Sequence, residues 1–312
     1  MRRLILITAA AVLAAGCTAP AAEKPSPTAG CAPVAGDALV VLEDDQRMQD
    51  ADNIVPAINQ EASSPELIAA LDRVSAALDT TKLIALNKAV TVDRKTSKAA
   101  AQEFAAANSL TTGVVRGSGG QVIIGAGVSA ESATLAQLYA VAATAAGYTA
   151  KVRKAGPRKT AEPALVRGDI DVLPEYAASL ATYLAGRAKG SPDLQTVMTD
   201  LTALGRKRGL VFGRPAEAQH QNAFAVTAAF ADRHGLKTLS DLAGKCSGAA
   251  TVVGGPATCP QRPNCQLGLV QRYGFQAGRF SSLDQGGLVN ALRTGGVSVG
   301  SVLSSDPALA AK

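Results

Sequence analysis

Tryptophan is absent from this 312-residue chain, and histidine occurs twice. His220 and His234 stand in no metal-ligand spacing and beside no nucleophile motif, so hydrolytic and metal-assisted chemistry find no support. Beyond the first residues there is no long apolar run, so nothing further along reads as a membrane span. A strong charge of one sign is missing too: 31 Lys and Arg stand against 25 Asp and Glu. That scattered excess argues against a nucleic-acid partner. Glu43, Asp44 and Asp45 are three adjacent acids at a strand end, a pattern that faces solvent or a helix start more often than it forms a catalytic pair. No enzyme activity, cofactor or resident metal is expected.

What is present begins at the N-terminus. Arg2 and Arg3 precede an apolar run from Leu4 to Ala15, too short for a spanning helix and the right length for a signal-peptide core. Leu13-Ala14-Ala15-Gly16-Cys17 resembles the lipobox of bacterial lipoproteins, which implies cleavage after residue 16 and lipidation of Cys17. Losing Arg2 and Arg3 lowers the formal charge from +6 to +4. Residues 17–36, rich in Ala, Pro, Ser and Thr, read as a lipid anchor and flexible tether.

Four further cysteines follow: Cys31, Cys246, Cys259 and Cys265. An even count in an exported chain suggests two disulfides, with three possible connectivities. Cys259 and Cys265 enclose a short loop and form the natural pair, which leaves Cys31 for Cys246. Zinc is the competing reading, but the paired short spacings of a zinc ribbon are missing.

From Gly120 onward strand and helix patterns alternate. Residues 121–125 read as a buried strand, 129–146 as a helix stopped by Gly147, 148–152 as a strand, 161–168 as a helix and 170–173 as a strand. Ser191-Pro192-Asp193 predicts a helix start with the stripe Leu194, Val197, Met198, Leu201 and Leu204. Helices at 238–243, 267–273 and 287–292 alternate with strands at 250–253 and 297–303. The N-terminal part predicts strands at 39–42 and 54–58, then helices at 65–78, 81–90 and 97–107. Gly125-Ala126-Gly127-Val128-Ser129-Ala130 imitates a dinucleotide fingerprint, yet Lys151, Arg153 and Lys154 occupy the next strand where an acid belongs. The composition is that of an α/β protein with two sheets.

Several stretches resemble the substrate-binding proteins of glycine-betaine, choline and related quaternary-amine ABC transporters. They are residues 161–176 ending in Leu173-Pro174-Glu175-Tyr176, Asn222-Ala223-Phe224-Ala225-Val226, residues 238–242, residues 254–269, and Ser304-Ser305-Asp306. The stretch Leu39-Val40-Val41-Leu42-Glu43-Asp44-Asp45 through Asn53-Ile54-Val55-Pro56 is similar to a segment that closes the family's sequence, but here it comes first. The resemblance therefore implies a two-lobed, type II periplasmic-binding-protein-like fold that is circularly permuted. One lobe would span residues 52–225, with the permutation linker near 113–120. The other would combine residues 37–51 with 226–312.

The resemblance also implies a function. The chain would bind a small cationic or zwitterionic solute, such as glycine betaine, choline or carnitine, outside the cytoplasmic membrane. Its partners would be an ABC permease and ATPase. The alternative is a lipoprotein that keeps the fold for sensing a ligand or docking a partner. The family cages a quaternary ammonium with aromatic faces. Carried over, Tyr176 and Phe224 would be walls, Ser179 a polar contact, and Arg262 a carboxylate clamp. Two cage positions depart: Leu303 and Asp52 stand where the family has tyrosine. Each of these residues also has a structural reading, as core, turn or helix-capping group.

Overall fold

The computed structural model describes residues 29–310 except 189. The expected signal peptide and Cys17 lie outside the described residues. Ten strands follow in chain order: β1 (Leu39–Val41), β2 (Ile54–Asn59), β3 (Gln121–Ala126), β4 (Thr149–Lys154), β5 (Val172–Tyr176), β6 (Leu210–Phe212), β7 (Asn222–Thr227), β8 (Gly248–Gly255), β9 (Ala277–Ser282) and β10 (Val299–Leu303). They form two five-stranded mixed sheets, β4-β3-β5-β2-β6 in a first lobe and β1-β7-β10-β8-β9 in a second.

Side chains alternate across each strand, so both sheets bury two faces. Ile54 and Ile58 of β2 join one core with the helices Pro65–Ala77 and Ala130–Ala145. Val55 and Ala57 join the opposite core with Ala177–Ala185 and Leu194–Arg206. In the second lobe Phe224 and Val226 face one core, and Ala223 and Ala225 the other. β1 is antiparallel to β7, which is antiparallel to β10, so residues 39–41 share a sheet with residues 299–303. Two segments, 42–51 and 213–221, link the lobes.

Two disulfides staple the second lobe. Cys31–Cys246 ties the N-terminal segment to the end of helix Leu239–Cys246, and Cys259–Cys265 closes the short loop.

Several boundaries differ from expectation for local reasons. The helix expected from Ser191 begins at Leu194, because Asp193 is the cap: its carboxylate accepts from the Thr196 N–H at 2.7 Å. β5 runs past Pro174 to Tyr176. Pro174 faces Pro56 across the ladder, at a position where neither N–H would bond the other strand. The lobe boundary expected at 225 falls inside β7, which belongs entirely to the second sheet.

Candidate functional site: the cleft between the sheets

A cavity of about 550 Å³ lies between the lobes. The first lobe contributes Asp52, Arg158, Ser179 and Tyr183, the second Asn222, Arg262, Asn264 and Leu303, and the linking segments Gln49, Asp50 and His220. Asp52 lies just before β2, and Ser179 in the first turn of the helix that continues directly from β5. This places the Asp52 carboxylate over the helix start. It accepts from the Ser179 backbone N–H at 2.9 Å and from the Ser179 hydroxyl. Burial pushes the Asp52 carboxyl above its usual range, against the pull of the Ser179 hydrogen bonds and the Arg158 charge.

Beside it, Arg158 forks onto Glu175 with contacts of 3.0, 3.1 and 2.6 Å, and Glu175 is buried. Across the cavity, the loop closed by Cys259–Cys265 holds Arg262 at the wall. The backbone of Arg262 is fixed at both ends, its N–H to the Cys259 carbonyl and its carbonyl to the Cys265 N–H. Among the described residues its guanidinium makes only a long 3.5 Å contact to Asn222 Oδ1.

His220, at the cavity wall, belongs to a second polar cluster that is absent from the expectations. The Tyr176 hydroxyl donates to Glu131 Oε1 at 2.5 Å. His220 Nδ1 lies 2.9 Å from the same oxygen and 2.8 Å from the Ser305 hydroxyl. Asn87 Nδ2 donates to Glu131 Oε2 and to the Ser305 carbonyl. The His220 ring stacks on Tyr176, with centroids 4.4 Å apart and planes inclined by 26°. Glu131 is buried in the first turn of helix Ala130–Ala145. Burial acts to raise its carboxyl, but His220, Tyr176 and Asn87 together hold it below the usual range. Tyr176 is pushed well above the usual tyrosine range, by burial first and then by the Glu131 charge. The cluster joins three helices or strands of the first lobe to the linker at His220 and to Ser305 just after β10.

The residues expected at the site divide accordingly. Asp52, Ser179, Arg262 and Leu303 border one cavity. Tyr176 does not border it: it lines a separate small crevice with Gly127 and Glu175, and its ring stacks on His220. Phe224 corrects the expectation: it is 1 % exposed in the second-lobe core with Leu42, Met48 and Phe230, and it borders a separate crevice. An inward-facing position of an interior strand fills with packing rather than with ligand. The fingerprint-like turn is self-satisfied, because the Ser132 hydroxyl accepts from the Gly127 N–H and Ser129 caps the helix. Glu131, Arg158 and His220 carry no local signal, since their partners lie 45, 17 and 85 positions away.

Two α/β lobes joined by two linking segments, with a polar cavity between them, are the architecture of a solute-binding protein. Residues 27–107 and 120–312 match the profile of a family described as the substrate binding domain of ABC-type glycine betaine transport systems, and the chain belongs to that family. A crystal structure of a glycine betaine/carnitine/choline ABC transporter is similar at 18 % identity and a TM-score of 0.46. The likeness spans 59 % of this chain and 68 % of that one. No curated protein matches the sequence.

Proposed function

We propose that this substrate-binding protein is anchored through lipidated Cys17 outside the membrane, and captures a small cationic or zwitterionic solute between its lobes for an ABC permease. The observation that carries this reading is the placement of opposite charges on opposite lobes around one cavity: Asp52, with Ser179, on the first, and Arg262 on the second. A ligand that spans them bridges the lobes and favours the closed arrangement by its differential affinity for it. The cavity volume suits solutes of the size of betaine, choline or carnitine.

Calorimetric titration of the fragment starting at Thr18 with betaine, choline, carnitine, proline and polyamines tests the reading. Binding tighter than millimolar for at least one solute is the expected result. Absence of binding across the panel would remove the solute-capture reading and favour sensing or partner docking by the retained fold.

A further inference from the structure

The cavity walls carry a chemical preference that a methylated ammonium does not satisfy. A quaternary nitrogen has no N–H, so a site selects it with open aromatic faces. Among the described residues, the only aromatic rings bordering this cavity are those of Tyr183 and His220. The His220 ring is stacked on Tyr176, and the Tyr176 hydroxyl is bonded to Glu131. Phe224 belongs to the core.

Acceptors are present instead. Asp52 is 8 % exposed and accepts from one residue, although an ionised carboxylate offers about four lone-pair sites. Asp50 accepts from Asn264 Nδ2 at 2.8 Å. Gln49 is 5 % exposed, and its Oε1 is buried with no hydrogen-bond partner among the described residues. Asn222 Oδ1 has only the 3.5 Å contact from Arg262. These groups border one cavity, from the first linking segment and from both lobes. A ligand that displaces water from them without returning donors leaves buried acceptors unpaired, the costly case for a polar group. The guanidinium of Arg262 offers the complementary need: five N–H donors against one long contact, a fork that fits a carboxylate.

We infer that the ligand is a small zwitterion with a protonated primary or secondary ammonium and a carboxylate, the ammonium donating to the Asp52 and Asp50 side and the carboxylate accepting from Arg262. This rests on the solute-capture reading above and narrows its ligand class. Ligand choice here is made by returned hydrogen bonds rather than by an aromatic cage.

The test uses pairs that differ only in N-methylation, glycine with glycine betaine and proline with proline betaine, titrated into the fragment from Thr18 by calorimetry. The protic member of each pair is expected to bind at least tenfold more tightly. The Arg262→Ala variant should lose at least tenfold for the protic amino acids. It should change binding of ethanolamine, which has the ammonium but no carboxylate, by less than threefold. Melting curves of the variant, unchanged from wild type, show that the Cys259–Cys265 loop still folds. If the methylated members bind as tightly or more tightly, the inference falls while solute capture stands. Equal losses for proline and ethanolamine in Arg262→Ala would also overturn it. If neither member of any pair binds, and none of the wider panel does, the solute-capture reading fails with it.

Discussion

Glu131 and Asp52 are two buried acids of the first lobe whose environments are opposite. Glu131 accepts from Tyr176, His220 and Asn87, and its carboxyl is held below the usual range. Among the described residues Asp52 accepts only from Ser179, and burial lifts its carboxyl above the usual range. The first is a finished structural joint, drawing the first lobe, the 213–221 linker and Ser305 together. The second is an acid left short of cationic partners at the wall of a cavity. A folded protein retains such an unfavourable charge where a ligand completes it.

The comparison breaks most visibly at Glu131. Glu131→Ala removes the acceptor of the Tyr176 hydroxyl and one of two partners each of His220 and Asn87, which keep Ser305; a buried donor left unpaired costs about 1–3 kcal/mol. Denaturant unfolding should show a loss of about 2 kcal/mol. A loss below about 1 kcal/mol would mean that the joint contributes nothing a surface pair would not.

Asp52→Asn should behave in the opposite way. Asparagine keeps an acceptor for the Ser179 N–H and carries no charge to desolvate, so stability near neutral pH should hold or rise slightly. Solute affinity should drop by tenfold or more. The pH dependence sharpens the contrast. A lowered folded value for Glu131 contributes stability above the usual glutamate range, and that contribution is lost as pH falls through the folded value. A raised folded value for Asp52 has the reverse sign: it favours the folded state in acid, and the contribution is lost as pH rises through the folded value. Melting temperatures measured from acid to neutral pH should therefore rise less steeply with pH in Glu131→Gln than in wild type. In Asp52→Asn they should rise more steeply. Parallel profiles for all three proteins would erase the distinction between joint and wall.

Much of the frame was legible because it is written in short-range patterns. The caps at Ser64, Thr96 and Thr238, each with its backbone contact three residues on, start helices close to where the sequence predicts them. The short Cys259–Cys265 loop suggested its own closure. β9 was not legible, since Ala-Gly-Arg-Phe-Ser-Ser is a largely exposed edge strand with no apolar run. The helix Ala177–Ala185 was hidden because it starts at the residue after β5, with no loop between.

The site divides along the same line. Asp52, Ser179 and Arg262 stand in recognisable stretches and border one cavity. Phe224 stands in such a stretch as well, but strand alternation turns it into the core. Glu131 and His220 are a first-turn helix acid and a lone linker histidine until the fold brings them within 2.9 Å.

The central claim is that solute sits between the lobes and touches both. Hydrogen exchange of the fragment from Thr18, with and without a saturating solute from the titration, tests it most directly. The account predicts added protection in three regions together: 176–183 of the first lobe, 219–221 of the linker and 259–265 of the second. Protection confined to one lobe, or centred on the separate crevice at residues 39–44 and 304–309, would contradict it.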